Sequence, residues 1–455
     1  MTQDTPGAVT TSGKEGLPSS SSPPPSSGFE FWEKTLRGAK HVMAPMVDQS
    51  EHAWRRLCRR YGTELCYTPM LHARLFAENA KYRNEHFTTD PSDRPLIAQF
   101  CANDPDTLLK AAKYVEGQCD AVDLNLGCPQ DIARRGHYGS FLQDDWDLIS
   151  KMVSTLHKHL AIPVTVKIRI FPELDRTLAY AKMIQDAGAQ LLGVHGRVRE
   201  QRGHNTGLAD WEQIRAVREA LSIPVIANGN ILEPEDVPRC LEATGAVGVM
   251  SAEGNLYNPA IFSGQHPEVW RMGQEYLAIC REVPTRLSSI RGHLFKLYRP
   301  CLAKHTDIRE KLGKASDLEA LEALTAELAE RLIIEAKMME GKGGVEEAKA
   351  VLLDEVTGRP RYPHWLCQPY VRPPMAPPKR KNEVDGQTKV KEVERSSTGA
   401  EEADKCVVVE EEKNKRRKKE GKPQCNGCKS VNCSAHQSRK PKEEQPPVVP
   451  ETIAS

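Results

Sequence analysis

Asp123-Leu-Asn-Leu-Gly-Cys-Pro-Gln130 ends an apolar run in a polar turn that holds one thiol beside one carboxamide. Ala121 to Leu126 suits a buried parallel strand whose polar residues gather at its C-terminal end, where function in such sheets collects. Gly127 permits a sharp turn and Pro129 stops further pairing, so the Cys128 thiol is aimed out of the sheet. A cysteine so placed can act in acid–base or nucleophilic chemistry, whereas a free cysteine is more often a small buried hydrophobe. Other apolar runs end the same way: Ala44-Pro-Met-Val47 closes the first, Gln99 lies in the third, and Lys167 and Arg169 lie in the fifth. His195-Gly-Arg197 and Asn228-Gly-Asn230 close the sixth and seventh. Such side chains are costly when buried without partners, so an anionic, planar ligand at one shared mouth explains them economically. Each also has a plainer explanation: Lys167 paired with Asp123, His195 as a satisfied core histidine, Asn228-Gly-Asn230 as an ordinary turn.

The elements that must position these residues form a repeated unit of apolar strand, polar loop and amphipathic helix. Eight strands are expected at His41 to Val47, Leu65 to Leu71, Pro95 to Ala102, Ala121 to Leu126, Pro163 to Ile170, Leu191 to His195, Pro224 to Asn228 and Ala246 to Met250. Between them, Asp104-Pro-Asp opens a helix with Leu108, Leu109, Ala112 and Val115 in a stripe, and Asp144 to Leu160, Leu174 to Ala187 and Asp210 to Leu221 follow suit. Eight alternations over about two hundred residues match an α/β fold of the closed (β/α)8 TIM barrel type, with a doubly wound open sheet as the alternative. Chance would scatter the polar residues over both ends of a barrel, yet all fall at strand C-termini.

Composition bounds the rest. Of 455 residues, Met1 to Gly28 are rich in Ser, Pro, Gly and Thr and lack both a basic start and an apolar core, which predicts a disordered leader over 1–28. No apolar run reaches the length of a membrane span, so no membrane partner is expected. Thirteen scattered cysteines suggest reduced thiols and a location in cytoplasm or nucleus. The net charge of +1 conceals a crowding of basic residues near the C-terminus, which suits a polyanionic partner.

Ala44-Pro-Met46, Gln99, Asn125-Leu-Gly-Cys-Pro-Gln130, Gly136-His-Tyr-Gly-Ser140, Val166-Lys-Ile-Arg169, Val194-His-Gly-Arg197, Ala227-Asn-Gly-Asn230 and Val249-Met-Ser-Ala-Glu-Gly254 together resemble the tRNA-dihydrouridine synthases, over residues 41 to about 262. The Cys-Pro-Gln, Gly-His-Tyr-Gly and Ser-Ala-Glu-Gly segments look like the eukaryotic branch that acts on positions 16 and 17 of the tRNA D-loop. This resemblance implies an FMN over the barrel mouth, with Pro45, Met46 and Val47 lining its ring system, Gln99 and Lys167 on its polar edge, and His195 beside it. Asn228, Gly229, Asn230, Ala252 and Glu253 would surround its phosphate, which loops after the seventh and eighth strands often bind. The sequence departs from the commoner pattern in having Ala252-Glu253 where an arginine usually follows a glycine; main-chain N–H groups, Arg197 or another base would have to compensate.

The implied reaction moves hydride from reduced FMN to uridine C6, with Cys128 giving C5 its proton, Asn125, Arg169 and Arg197 at the substrate, and NADPH or NADH as electron donor. A thiol, with an ordinary pKa of about 8.5, carries a proton at neutral pH. No strand-anchored G-x-G-x-x-G is present, so the nicotinamide cofactor is expected as a transient visitor. Two other function classes fit parts of the pattern: a non-redox barrel enzyme using Lys167 as a Schiff-base amine, and a non-catalytic RNA-binding scaffold.

The catalytic barrel is expected over 29–265 and a helical tRNA-binding domain over 266–357, with Leu318, Leu321, Leu324, Leu328 and Leu332 at helical spacing and Asp317 able to cap. Arg286, Arg291, His293, Lys296, Arg299, Lys304 and His305, interleaved with Phe295 and Tyr298, suit phosphate contact and base stacking. A disordered tail is expected over 358–455, with basic clusters at Pro378 to Lys381 and Lys413 to Lys419. Within it Cys425, Cys428, Cys433 and His436 are four possible metal ligands at a spacing that matches no standard zinc motif.

Overall fold

The computed structural model describes residues 27–348, 352–353 and 358–370. The barrel strands are β1 (His41–Met43), β2 (Leu65–Tyr67), β4 (Leu96–Cys101), β5 (Ala121–Leu126), β6 (Val164–Arg169), β7 (Leu191–His195), β8 (Val225–Asn228) and β9 (Gly248–Ser251), with a two-residue β3 (Leu71–His72) added beside β4. All pairings among them are parallel, and β1 pairs with β9 while β2 pairs with β4, so the sheet closes on itself. Closure excludes the doubly wound alternative. The expected first two strands are shorter than drawn, ending at Met43 and Tyr67.

Side chains alternate across a strand, so register fixes which ones share the barrel interior. Val42, Leu65, Ile97, Ala121, Leu191, Ile226 and Met250 form one buried apolar cluster there. Phe31 and Leu36, from the segment before β1, join that cluster and close the floor. Two residues further along the strands the interior turns polar, with Gln99 opposite Asp123 and Asp123 opposite Thr165. Two more bring Asn125 opposite Lys167 and Lys167 opposite Gly193, below the pairs Arg169–His195 and His195–Asn228. Outward-facing positions on the same strands are apolar and pack against the surrounding helices, of which Pro105–Lys113, Trp146–His159 and Trp211–Ala220 are capped by Asp104, Asp145 and Asp210.

Beyond the barrel lie the helices Val269–Glu282, Leu287–Leu297, Thr306–Lys314 and Leu318–Ala348, the last opened by Asp317, which accepts from Ala320 N at 2.8 Å. The join to the barrel is a buried polar cluster. Glu51 accepts from Tyr276 Oη at 2.7 Å and from His293 Nε2 at 3.0 Å; burial raises its carboxyl pKa, but His293 and Tyr276 outweigh that and hold it below the usual value. Trp54 stacks on His293 at 3.9 Å and donates to Asn255 Oδ1 at 3.0 Å, which fastens the short helix Glu253–Tyr257 after β9 to the same cluster. Residues 358–370, assigned by composition to the tail, pack here: Val269 N donates to Trp365 O, Cys367 N donates to Pro267 O, and both Trp365 and Cys367 are buried. No helix among the described residues is long and apolar enough to cross a membrane.

The cationic set around residues 286–305 does not form one open face. His293 and Tyr298 are buried, Arg291 donates to Gly313 O and Ala315 O, and Arg286 pairs with Asp48. His293, Tyr298 and His305 are turned inward, and Phe295 is half-buried against the core.

Behind β2, Asp93 is fully buried against Arg55, which donates to it at 2.6 and 2.8 Å, and Arg59, which donates at 3.1 Å. Asp93→Ala would leave the buried Arg55 guanidinium uncompensated and should cost about 3–5 kcal/mol, read from urea unfolding; a loss under about 1 kcal/mol would mean the pair is not desolvated.

Candidate functional site

Asp123 is fully buried on the barrel axis, accepting from Gln99 Nε2 at 2.8 Å and from Thr165 Oγ1 at 2.6 Å. Burial pushes its carboxyl pKa up to about 6 despite those bonds and the nearby Lys167. Gln99, also fully buried, passes the order upward: its Oε1 accepts from Asn125 Nδ2 at 2.8 Å. Asn125 Oδ1 in turn accepts from Gly127 N at 3.1 Å and Cys128 N at 2.9 Å. A chain of side-chain amides thus runs from the barrel core to the backbone that carries the thiol.

The loop is held from its other side as well. Cys128 O accepts from Ser140 N at 3.1 Å and Ser140 Oγ at 3.0 Å. Gly139, at φ +63°, comes so close that an added Cβ would lie 2.7 Å from Cys128 O. Arg169 donates from Nε to Gly127 O at 2.9 Å and from Nη1 to Val198 O and Gln201 O at 2.9 and 3.0 Å. Arg202 donates to Pro129 O at 2.7 Å, and Arg199 to Ser140 O at 3.3 Å. Of the described cysteines, all reduced, Cys128 alone is part-exposed and the rest are buried.

Lys167 does not pair with Asp123, whose oxygens are taken by Gln99 and Thr165. Its ammonium makes no hydrogen bond or ion pair among the described residues, and burial, reinforced by Arg169, lowers its pKa to about 8. Gly193 lies alongside, where an added Cβ would stand 3.4 Å from Lys167 Cγ. Burial, with Lys167, Arg169 and Arg197 near, holds the His195 pKa well below the ordinary histidine value. Arg197 Nη1 lies 3.0 Å from His195 Nε2; a guanidinium only donates, so Nε2 accepts and the neutral ring carries its proton on Nδ1.

The seventh and eighth turns of the barrel meet beside this group. Asn228 Nδ2 donates to Met250 O at 2.8 Å, Ser251 Oγ donates to Ile231 O at 2.9 Å, and Arg197 Nη2 donates to Asn230 Oδ1 at 2.8 Å. Gly229 takes φ +116°, and a Cβ there would meet Ala209 Cβ at 2.6 Å and His195 Cδ2 at 3.1 Å. Ala252 and Glu253 follow β9, and Glu253 opens the helix Glu253–Tyr257. Pro45, Met46 and Val47 follow β1, with Val47 exposed.

The structure therefore gathers Asn125, Cys128, Lys167, His195, Asn228, Asn230 and Arg197 at one end of the barrel. Gln99 lies a layer deeper, supporting Asn125, and Arg169 spends Nε and Nη1 on loop carbonyls. Sequence reasoning assigned no role to Asp123 beyond a partner for Lys167, nor to Arg199 and Arg202, although the density of arginines after β7 was a visible signal. The candidate ligands Cys425, Cys428, Cys433 and His436 lie outside the described residues.

The family described as "Dihydrouridine synthase (Dus)" matches residues 42–339. The tRNA-dihydrouridine(16/17) synthase NAD(P)(+)-like of Mus musculus is 54% identical over 348 residues, covering 76% of this chain and 71% of that protein. The tRNA-dihydrouridine(16/17) synthase of Schizosaccharomyces pombe is 51% identical over 367 residues, 76% of this chain and 91% of its own length. That of Saccharomyces cerevisiae is 50% identical over 374 residues, covering 76% and 86% respectively.

The raised Asp123 pKa has a testable sign. A carboxyl that titrates near 6 in the fold and near roughly 4 when unfolded contributes stability present below about pH 4 and lost as pH rises to about 6. Asp123→Asn should therefore gain on the wild-type chain across that window and keep a constant margin above it, measured by urea unfolding at several pH values; parallel curves would mean the carboxyl is not perturbed.

Proposed function

The chain belongs to the dihydrouridine synthase family and acts as a tRNA-dihydrouridine synthase, and we propose that its targets are uridines 16 and 17 of the D-loop, with FMN over the barrel mouth and Cys128 as proton donor. The names of its relatives support the choice of positions and an NAD(P)-linked reaction. Family membership sets aside the Schiff-base reading of Lys167.

The donor set at the mouth fits an anionic flavin. Lys167 offers a cation without a hydrogen bond or ion pair, on a barrel layer where Gly193 contributes no side chain. His195 is neutral and adds no competing charge, and Arg197 stands beside Asn230 at the turn expected to hold the phosphate. Arg197 is thus the base placed to compensate for Glu253. When bound, FMN supplies the hydride for uracil C6 and draws its electrons from NAD(P)H.

Reduction at C6 leaves negative charge at C5 of the base. The thiol proton of Cys128 passes to C5, which completes 5,6-dihydrouridine and leaves a thiolate to be reprotonated from solvent. Asn125 keeps one Nδ2 hydrogen after serving Gln99, enough to orient a base carbonyl. Arg169 positions rather than binds: it fixes Gly127 and the 198–201 loop, and with them the thiol. The observation that carries the assignment is the one cysteine among the described residues that is part-exposed, held by Asn125 and Ser140 at the polar end of the barrel.

Cys128→Ala should keep its yellow colour and its affinity for tRNA while dihydrouridine formation falls by about 10²–10⁴-fold, followed by mapping dihydrouridine in the product RNA. Equal activity in the two proteins refutes the proton-donor role, and a purified chain that never takes up flavin refutes the cofactor.

Because Lys167 loses its charge above about pH 8, FMN affinity should decline as pH rises through that value. Lys167→Met should bind FMN more weakly and without that dependence; fluorescence titration from neutral to alkaline pH reads both, and an unchanged pH profile in the variant removes Lys167 from the site.

A further inference from the structure

We propose that His305, Glu335 and His364 form a binding site for a divalent first-row transition-metal ion, zinc foremost, in the helical domain. The three come from separate parts of the chain: His305 precedes the helix Thr306–Lys314, Glu335 lies on Leu318–Ala348, and His364 belongs to the packed segment 358–370. None lies on an element of the barrel mouth. Their ligand atoms all lie within 4.8 Å of one another. His305 Nε2 stands 3.4 Å from Glu335 Oε1, and His364 Nε2 stands 2.7 Å from Glu335 Oε2. Ligand atoms around a tetrahedral zinc with bonds of about 2.0–2.1 Å are roughly 3.3 Å apart, so small side-chain rotations complete the geometry.

His305 supplies the second, independent indication. It is only 7% exposed, and its Nε2 is sealed from solvent without a hydrogen-bond partner, standing 3.4 Å from a carboxylate oxygen. A buried imidazole nitrogen left in that state costs free energy, which a cation between it and Glu335 recovers. Two imidazoles and one carboxylate suit zinc, with nickel and copper also accommodated, and leave a fourth position for water. Lys304 Nζ, 2.8 Å from Glu335 Oε2, must give way as the ion arrives; its side chain is 57% exposed, and an exposed ion pair of this kind is weak. An ion here would fasten segment 358–370 to the helices, beside the backbone bonds of Trp365 and Cys367.

The experiment uses the full chain without a histidine tag, in a Cys425→Ser, Cys428→Ser, Cys433→Ser background that removes the other candidate ligands. Zinc is titrated against a chromophoric chelator, and cobalt(II) is followed by its visible absorption. The expected result is one zinc per chain, with cobalt bands that lack thiolate charge transfer, and affinity at least tenfold weaker in Glu335→Gln and in His364→Ala at unchanged far-ultraviolet circular dichroism. Glu335→Gln keeps size and hydrogen bonding, so it separates ligation from folding where replacing buried His305 would not. Zinc held as tightly in both variants as in the parent, or no zinc that competes with the chelator, overturns the site and leaves a hydrogen-bonded His–Glu–Lys cluster. Neither outcome bears on dihydrouridine formation.

Discussion

A carboxylate on the barrel axis is the constraint around which the rest is arranged. Asp123 sits where water cannot reach, and an ion there costs several kcal/mol unless every oxygen is matched. Thr165 and Gln99 supply that match, which fixes the Gln99 amide so that its carbonyl faces upward to Asn125. Asn125, fixed in turn, presents Oδ1 to two successive backbone N–H groups. The position of the thiol is inherited, bond by bond, from a group two layers below it. Each neutral bond in such a series is worth only about 0.5–1.5 kcal/mol, so its value is in direction more than in energy.

What the axis aims, the rim holds. Arg169 and Arg202 grip the cysteine loop through its carbonyls, while Gly139 lets Ser140, itself held by Arg199, approach from the opposite side. The other side of the rim is tied to the helical domain through Asn255, Trp54, His293 and Glu51. A cluster that packs a part-buried carboxylate against a buried imidazole and a buried indole ties the helix after β9 to the helices beyond it.

Most of the barrel was legible because parallel strands buried on both faces write long apolar runs, and because polar residues appear in them only where the sheet ends. The same rule picked out Asn125, Cys128, Lys167, His195 and Asn228. It could not show that Gln99 and Arg169 face inward to other protein groups, since one-dimensional spacing says which end a residue occupies and not which neighbour it meets. Nor could it sort the residues of 286–305: spacing alone does not show that Tyr298 packs beside Gly273 with its hydroxyl on Thr325 while Arg299 stays exposed. Residues 358–370 were lost to their composition, because backbone pairing with Pro267 and Val269 leaves no trace in side-chain chemistry.

Phe31 and Leu36 stopper the lower end of the barrel, so it has a single door. Two bulky reactants that both need the same surface above Lys167 cannot share it and must queue. On the proposed reading, a nicotinamide and a nucleobase would take turns at that surface, so one would have to depart before the other arrived.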